Sequence, residues 1–321
     1  MGSRQLRTRL FPYGLRALVG GAGAAGLAVL GLGLASGPAV LAATPSMTPL
    51  QLLGVTGSSA SGTTTAAASS PCWQSSNWSG YMVTTAASAG CTPATGVTYS
   101  SVSGNWTVPA VTAPPKSGLL GGLLGGGSSY SALWTGIDGV NDTNLIQSGT
   151  EEDVVGGTPT YGAWWEILPA PETVIPSITV RPGDAVSVTI GKGAAPCTSG
   201  QWLIAVTDST ADTQGRGSPF TTCQSYSGQQ TSAEWVVEAP LVNGMQSSIA
   251  NYGSALFDKG TVNGASVALV PSEGGELTAS SGLLGLHTTV KSTPSPPDTG
   301  APAGDGFACA YGSTAPPAPS S

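Results

Sequence analysis

The sequence predicts an antiparallel all-β protein built from two packed sheets. Between residues 71 and 291, no long segment repeats its apolar residues at the 3.6-residue spacing of a helix. Short runs rich in Val, Ile, Thr, Trp and Tyr, such as "YSALWTGIDG", "YGAWWEIL" and "SAEWVVEAP", are instead separated by Gly, Pro, Asn and Asp. Many short strands without helices between them are typical of a sandwich. We therefore expect one β-sandwich domain over residues 71–291.

The first 43 residues have the order of a secretory signal peptide. Four arginines precede an apolar run from Ala17 to Leu34, and small residues follow near Ala42. The same run approaches the length of a membrane span, so a retained anchor is the alternative. Because no polar stop segment follows the run, we expect cleavage and secretion to the exterior. The mature chain would then have no stable membrane association.

Low-complexity segments flank the predicted domain on both sides. Residues 44–70 contain no charged residue and are rich in Ser, Thr, Gly and Ala, which is typical of a linker or a short propeptide. Residues 292–321 are rich in proline, and their composition predicts a disordered tail. Inside the domain, residues 182–184 separate two alternating runs in "ITVRPGDAVSV", so we expect a hairpin there.

Five cysteines in an exported chain predict disulfides. We expect Cys72 to pair with Cys91 and Cys197 with Cys223, because each pair closes a local loop. This leaves Cys309 free in the tail. No Cys-x-x-Cys pair occurs, which argues against a zinc ribbon. No other ligand cluster suggests a metal, so neither a metal nor another cofactor is predicted.

Charged residues are scarce, at 8% of the chain, and the net charge is −7. Removal of the four leader arginines would leave six basic and 17 acidic residues, a net charge of −11. Such an acidic chain is a poor partner for nucleic acid, so none is expected. A surface with few carboxylates also changes little in charge when they take up protons, which suits an acidic exterior.

A catalytic site that uses histidine is nearly excluded, because the chain has one histidine, His287. No Gly-x-Ser-x-Gly elbow accompanies it, and a zinc protease would need two histidines on one helix. We interpret His287 as a partly exposed strand residue. The triplet Asp298-Thr299-Gly300 lacks the second aspartate that an aspartic protease would pair with it. Carboxylates and amides therefore remain as the candidate catalytic groups.

Side chains two residues apart share one face of a strand. On this basis Trp134 and Asp138 of "LWTGID" share a face, and so do Trp164 and Glu166 of "AWWEI". The two glutamates of "AEWVVE" likewise lie opposite its tryptophan. This repetition predicts one sheet face that carries carboxylates and tryptophans, as a binding groove does. An ordinary solvent-exposed face is the alternative.

Eight motifs in this order resemble the glutamic peptidases, also called eqolisins. They are "SNWSGY", "VSGNWTVP", "LWTGIDG", "LIQSGT", "YGAWWEILP", "ITVRPGDAVSVTI", "AEWVVEAP" and "NYGSALFDKGTVNG", and they extend from Asn77 to Val270. The resemblance implies a concanavalin-like sandwich of two curved antiparallel sheets, whose concave face hydrolyses peptide bonds at acidic pH. We expect a monomer that acts on protein or peptide substrates.

The resemblance also implies a catalytic pair, Gln147 in "LIQSGT" and Glu238, the second glutamate of "AEWVVE". Ionised Glu238 would take a proton from a bound water, which attacks the scissile carbonyl, and then pass that proton to the leaving amine. Gln147 would donate a hydrogen bond to the oxyanion and help to hold the water. Four further residues match the substrate cleft of the family: Trp134, Asp138, Trp164 and Glu166.

Two positions depart from the pattern of the family. Leu168 replaces the tyrosine that usually precedes the proline of the "AWWEILP" motif. The acid that normally follows the glutamine motif closely is shifted into "TEED", so its role falls to Glu151 or Glu152. Neither departure touches the catalytic pair, and both affect subsite preference.

Two other functions are compatible with the same residues. A carbohydrate-binding or glycoside-cleaving concanavalin-like module would stack Trp134 and Trp164 on sugars and use Glu166 and Glu238 as its carboxylate pair. Gln147 would have no necessary part in that activity. A non-catalytic surface adhesin with the proline-rich tail as its stalk is the second alternative.

Overall fold

A computed structural model gives the architecture of the chain and describes residues 71–85, 91, 93–115, 127–140, 143–281 and 287–320. The signal peptide predicted for residues 1–43 and the linker or propeptide predicted for 44–70 lie outside the described residues. No helix in the described ranges is long and apolar enough to cross a membrane.

The regular secondary structure of the described chain is almost entirely β-strand. They are β1 (Trp73–Ser75), β2 (Trp78–Thr84), β3 (Ser101–Thr107), β4 (Ala132–Asp138), β5 (Leu145–Val155), β6 (Thr158–Ile167), β7 (Thr173–Val174), β8 (Ala185–Lys192), β9 (Trp202–Asp208), β10 (Phe220–Gln224), β11 (Ser232–Glu238), β12 (Leu241–Val242), β13 (Met245–Gln246), β14 (Ser254–Val262), β15 (Ala265–Ser266), β16 (Gly274–Ser281), β17 (His287–Pro294) and β18 (Phe307–Tyr311). The described helices are α1 (Ser209–Thr213) and a 3-10 turn, Pro271–Glu273.

Sixteen of the described strands form a sandwich whose two layers belong to one continuous sheet, and β12 pairs separately with β13. Hydrogen bonds join the strands in the order β10-β9-β8-β3-β14-β18-β17-β16-β2-β11-β4-β5-β6-β7. The path folds back on itself, so that β3 contacts β4 and β8 contacts β5 without pairing. The pairs are antiparallel apart from β1 with β16, among the strands described. The predicted all-β antiparallel sandwich is confirmed.

The core lies between the two layers and is filled by alternate side chains of each strand. Leu133 of β4 and Trp235 of β11 point into it, as parity predicted, and meet side chains of β3 and β8. Hydrogen bonds also cross between the layers. The Trp106 Nε1–H group donates to Thr150 Oγ1 over 2.9 Å, and the Trp235 Nε1–H group donates to the Ser103 carbonyl over 2.8 Å. The opposite faces of β11, β4, β5 and β6 are thereby turned away from this core.

Both predicted disulfides are present. Cys72 is bonded to Cys91 and Cys197 to Cys223, with Cα atoms 5.0 and 5.5 Å apart. Cys309 is unpaired and buried. His287 lies on β17 with its side chain exposed, so its prediction as a strand residue is also confirmed.

The prediction of a disordered tail over residues 292–321 is wrong for much of that segment. Strand β17 extends into it, and β18 pairs with both β17 and β14. Phe307 and Cys309 alternate with small residues and bury their side chains in the core, where Phe307 stacks on Phe257 with ring centroids 4.9 Å apart. Burial of the alternate apolar side chains stabilises this strand, although the composition around it is rich in proline.

The hairpin predicted at residues 182–184 is wrong in its first arm. The turn is present, with Gly183 at φ 85°, and β8 follows it, but residues 178–181 are not a strand. Their backbone bonds to a different segment, because the Thr179 N–H donates to the Arg216 carbonyl over 3.2 Å. The Arg216 guanidinium reaches Asp184 over 2.6 Å and holds the two segments together.

Candidate active site

Strands β11, β4, β5 and β6 are neighbours, and their faces turned away from the core carry the candidate residues. We call this surface the site face. Gln147 of β5 lies opposite Gly136 on β4 and Glu166 on β6. Trp134 lies one row further along and opposite Gly149 of β5. The strand register therefore brings together residues that come from three separate sequence motifs.

Trp134 lies in the middle of the site face because two glycines leave room for its ring. A Cβ atom at Gly149 would lie 2.6 Å from Trp134 Cβ, and one at Gly136 would lie 3.0 Å from the indole ring. Trp78 packs edge-on against Trp134, with ring centroids 4.7 Å apart and an interplanar angle of 77°. Trp164 belongs to the same apolar cluster. Packing thus fixes the direction in which the Trp134 N–H group points.

The Glu238 carboxyl group is the acceptor of that N–H group. Trp134 Nε1 donates to Glu238 Oε2 over 2.8 Å, and Asn77 Nδ2 donates to Glu238 Oε1 over 3.3 Å. Glu238 is only 2% exposed. Burial raises its pKa to about 7, and the N–H donors oppose this rise because they stabilise the ionised form.

The orientation of the Asn77 amide is itself fixed by a hydrogen bond. Ser75 Oγ donates to Asn77 Oδ1 over 2.8 Å, which turns the amide nitrogen of Asn77 towards Glu238. The backbone N–H of Ala239 also donates to the Asn77 carbonyl over 2.8 Å. Asn77 lies in the "SNWSGY" motif, but sequence reasoning gave it no role.

Gln147 and Glu166 form the second hydrogen-bonded pair of the site face. Gln147 Nε2 donates to Glu166 Oε2 over 2.6 Å. Burial raises the pKa of Glu166 to about 8, opposed by the Gln147 bond and reinforced by the nearby Glu238 carboxylate. The two other side-chain oxygens, Gln147 Oε1 and Glu166 Oε1, are buried without a hydrogen-bond partner in the protein. Both are acceptors that a substrate amide or a water can satisfy.

Gln147 and Glu238 share the site face, but no hydrogen bond joins them. Gln147 donates to Glu166, whereas Glu238 accepts from Trp134 and Asn77. In the strand register, the side-chain row of Trp134 lies between the row of Gln147 and the row of Glu238. Such an arrangement offers an amide donor at one end and a protonatable carboxyl at the other, which are the two functions that amide hydrolysis requires.

Asp138 lies on the same strand face but is fully engaged in holding a loop. Its Oδ2 accepts from Tyr226 Oη over 2.6 Å and from the Gln230 N–H over 2.8 Å. Its Oδ1 accepts from the Thr231 N–H over 2.7 Å. Asp138 is 0% exposed and has a φ of 74°. These contacts make it an anchor of residues 226–231, and the substrate-binding role that the resemblance implies for it stays a prediction.

The adjacent acids of "TEED" point in opposite directions. Glu151 lies on the site face, whereas Glu152 points into the core and accepts from Thr150 Oγ1 over 2.5 Å. Of the two candidates for the displaced acid, Glu151 is therefore the one beside the cleft. Asp153 follows it on the site face, and Glu172 lies just before β7. Sequence reasoning named neither Asp153 nor Glu172.

Burial raises the pKa of each of these acids. The pKa of Asp153 and that of Glu172 rise to about 8, and Glu151 is shifted in the same direction. Within the described ranges, no group of three His, Cys, Asp or Glu side chains is arranged to hold a metal ion.

Residues 76–290 match the Peptidase A4 family, and the chain belongs to this family. This range contains the site face and agrees with the resemblance of Asn77–Val270 to the glutamic peptidases. The chain is therefore a glutamic-type endopeptidase, a hydrolase that acts on peptide bonds.

Individual relatives are similar over most of the sandwich. Aspergillopepsin-2 of Aspergillus niger is 29% identical over 217 residues, which span 62% of this chain and 68% of that protein. A crystal structure of scytalido-glutamic peptidase with a transition-state analogue inhibitor shares 19% identity, covers 74% of this chain and 98% of its own, and gives a TM-score of 0.47. Aspergilloglutamic peptidase from Aspergillus niger shares 24% identity, covers 57% and 99%, and gives a TM-score of 0.42.

Proposed function

We propose that this peptidase is a secreted endopeptidase of acidic surroundings, and that Gln147 and Glu238 carry out the hydrolysis. The observation that carries the proposal is the setting of Glu238 beside Trp134. Its carboxyl group is buried, its pKa is raised to about 7, and it faces the same surface as Gln147. Perturbed carboxyl groups of this kind are typical of catalytic sites.

Amide hydrolysis needs three chemical functions, and two side chains can supply them. A proton must leave the attacking water, the carbonyl oxygen must be stabilised, and the leaving nitrogen must receive a proton. Glu238 exchanges protons with the water and with the leaving nitrogen. Gln147 transfers its N–H bond from Glu166 to the carbonyl oxygen of the substrate, where negative charge develops. An amide keeps this function in acid because it does not titrate there.

The raised pKa changes the first step of the cycle expected from the resemblance, because Glu238 then starts protonated and not ionised. In acid, Glu238 carries a proton before substrate binds, because the pKa of its carboxyl group is about 7. One carboxyl oxygen then gives its proton to the substrate carbonyl oxygen as negative charge builds up there, while the other takes a proton from the attacking water. In the second step, Glu238 protonates the leaving nitrogen and recovers a proton from the tetrahedral intermediate as the C–N bond breaks. Each cycle consumes one water and returns Glu238 to its protonated form.

Secretion and processing belong to the same proposal. Two disulfides, Cys72–Cys91 and Cys197–Cys223, favour an oxidising compartment outside the cytosol. We propose that residues 1–43 direct export and that residues 44–70 are a linker or propeptide. N-terminal sequencing of the protein recovered from culture medium tests this, and a mature chain that still began within residues 1–43 would contradict it.

The central experiment compares active-site variants with matched controls. We expect Glu238→Gln and Gln147→Ala to fold normally and to lose at least about 100-fold in cleavage of an unfolded protein at a pH of roughly 3 to 4, because loss of one oxyanion donor alone costs that much. The controls are Glu276→Gln and Gln224→Ala, which change side chains outside the site face. Retention of more than about a tenth of the activity by either active-site variant contradicts the assignment. Inhibition by pepstatin would instead indicate a two-aspartate site.

A further inference from the structure

Two aspartates and one arginine lie together where the turn before β8 meets the end of β9. Asp208 is the last residue of β9 and lies opposite Val186 of β8, and Asp184 lies two residues before Val186. Both acids are buried, with Asp184 2% and Asp208 3% exposed. Arg216 follows α1 and forms an ion pair with Asp184. We call Asp184, Asp208 and Arg216 the Arg216 cluster.

Asp184 has the hydrogen bonds that an ionised carboxylate needs. Arg216 donates from Nη2 to Asp184 Oδ1 over 2.6 Å and from Nη1 to Asp184 Oδ2 over 2.9 Å. The backbone N–H of Arg181 donates to the same Oδ2 over 2.7 Å. Burial would raise the pKa of Asp184, but the bonds from Arg216 and Arg181 outweigh it and hold the pKa below its ordinary value.

Asp208 has a donor for only one of its two oxygens. Its Oδ1 accepts from the Ala211 N–H over 2.7 Å and caps α1. Its Oδ2 is buried, and no donor in the described ranges reaches it. Asp184 and Asp208 also share a side-chain hydrogen bond. A hydrogen bond between two carboxyl groups requires one proton, and this proton belongs on Asp208 because Asp184 already accepts from cationic and N–H donors.

The cluster is therefore complete only while Asp208 is protonated. Burial raises the pKa of Asp208, the Ala211 N–H opposes the rise, and Asp184 adds to it. The charged groups that face Asp208 are Asp184 and Arg216. A raised pKa means that Asp208 stabilises the fold fully below the pKa of an unfolded aspartate, about 3.9, and less as the pH rises through its folded pKa. The lowered pKa of Asp184 keeps its own contribution until the pH falls well below about 3.9.

The segment of residues 175–181 connects this cluster to the edge of the site face. The Thr179 N–H donates to the Arg216 carbonyl over 3.2 Å, and the Arg216 guanidinium donates to the Thr179 carbonyl. At the other end, the Ile175 N–H donates to the Ala163 carbonyl of β6 over 2.7 Å. Strand β7, which immediately precedes the segment, is the edge strand beside β6. Loosening of the Arg216 cluster would therefore loosen the support of β7.

We propose that the Arg216 cluster is a pH-sensitive clamp, in which a proton on Asp208 holds residues 175–181 beside the site face in acid and its loss at higher pH loosens them. The proton passes from Asp208 to solvent. Two buried carboxylates then face each other with one guanidinium between them, which is unfavourable. Any effect on substrate binding rests on the proposed function, whereas the clamp itself is measured without substrate, so the two can fail separately.

Hydrogen exchange of the purified protein at about pH 4 and about pH 7 tests the clamp, with each rate divided by the intrinsic rate at that pH. Protection of the Thr179 and Ile175 amides in the wild type should fall at least about 10-fold over this range, since a hydrogen bond to a charged group is worth that factor or more. The Tyr311 amide, which donates to the Gly253 carbonyl on β18, reports the stability of the sandwich away from the cluster.

Asp208→Asn is the central variant because asparagine resembles protonated aspartate. Its oxygen can still accept from Ala211 and cap α1, and its nitrogen can donate to Asp184 at every pH. We expect the fall in protection of residues 175–181 to be at least about 10-fold smaller in Asp208→Asn than in the wild type. Asp212→Asn is the matched control, because it removes an exposed acid of the same helix and should behave as the wild type does.

Wild-type protection of residues 175–181 that stays constant between about pH 4 and pH 7 would overturn the clamp. Equal falls in the wild type and Asp208→Asn would overturn it as well. If Asp208→Asn protected Tyr311 as much as residues 175–181, Asp208 would act on the whole sandwich and not on this segment. Failure of Asp208→Asn to fold would contradict the proton on Asp208, since asparagine reproduces the contacts of the protonated acid.

Discussion

Gln147 and Glu166 lie directly opposite each other on neighbouring strands, and the Gln147 amide donates to the Glu166 carboxyl over 2.6 Å. Burial raises the pKa of Glu166 to about 8, so this carboxyl group is neutral in acid. Gln147 therefore has a neutral partner when the enzyme works, and its donor can move from Glu166 to a substrate oxygen without leaving a buried charge behind.

The neutrality of Glu166 predicts the effect of Glu166→Gln. A glutamine resembles the protonated carboxylic acid and retains an oxygen that can accept from Gln147. We expect the variant to keep at least about a third of the wild-type kcat/KM at acidic pH for a peptide without basic residues, because no transition-state contact is removed. Steady-state assays between pH 3 and pH 5 measure this. A loss of more than about 10-fold would show that the ionised form of Glu166 takes part in catalysis.

The raised pKa of Glu238 predicts the pH profile of the wild-type enzyme. Because the proposed cycle starts from protonated Glu238, kcat/KM should be nearly constant in acid and fall as the pH rises through about 7, where that proton is lost. Circular dichroism at each pH separates this fall from unfolding. If kcat/KM instead rose by about tenfold per pH unit between pH 4 and pH 6, the ionised form would be required, and Glu238 would act first as a base.

Trp134→Phe tests the effect of the Trp134 hydrogen bond on the pKa of Glu238. The Trp134 N–H stabilises ionised Glu238, so its removal should raise the Glu238 pKa and move the falling limb of kcat/KM about one pH unit higher. Trp202→Phe is the matched control, because Trp202 is buried in the other cluster and its N–H has no partner. An unchanged limb in Trp134→Phe, or an equal shift in both variants, would contradict this control of the Glu238 pKa.

Strand alternation was sufficient to predict which residues share the site face. Alternation is a local property, so the "LWTGID", "AWWEI" and "AEWVVE" motifs could be oriented without knowledge of the fold. The role of Asn77 could not be obtained in that way. Its amide contacts Glu238 across 161 residues of sequence, because β2 pairs with β11. Such contacts depend on strand pairing, which the sequence pattern does not specify.

The predictions failed where composition and local pattern gave the wrong signal. Proline content predicted a disordered tail, but Phe307 and Cys309 supply enough alternating burial to form β18. Asp138 shares the parity of Trp134, and the substrate-binding role predicted for it stays a prediction. Parity gives the strand face on which an acidic side chain lies but not whether a loop covers that side chain. Here the loop of residues 226–231 donates hydrogen bonds to both carboxylate oxygens of Asp138.

Asp138→Ala should affect stability far more than substrate recognition. It would leave the N–H groups of Gln230 and Thr231 without their acceptor, at a cost of about 3 kcal/mol or more. Asp138→Asn should cost less, because asparagine keeps one acceptor and tolerates the positive φ at this position. Urea unfolding gives the free energies, and KM is measured below the unfolding transition. A large rise in KM for Asp138→Asn at unchanged stability would restore Asp138 as a substrate-binding residue.

Glu152 should make the stability of the sandwich dependent on pH. Its side chain is 0% exposed, and burial raises its pKa well above the usual value, with Thr150 opposing the rise and the adjacent acids adding to it. A carboxyl group whose pKa is raised by folding stabilises the native state below the pKa of the unfolded chain, near 4.3, and loses that stabilisation as the pH rises towards its folded pKa. The free energy of unfolding should therefore fall between about pH 4.5 and pH 7.

Glu152→Gln isolates this contribution, because glutamine can still accept from Thr150 but cannot ionise. Relative to the wild type, the variant should gain stability as the pH rises from about 4.5 to about 7, because burial raises the pKa of Glu152 and its ionisation then costs the folded state stability. Urea unfolding at both pH values measures the change, and Glu276→Gln, a partly solvated glutamate, should give a smaller one. If the difference in stability between Glu152→Gln and the wild type were the same at both pH values, ionisation of Glu152 would not control the stability of the core.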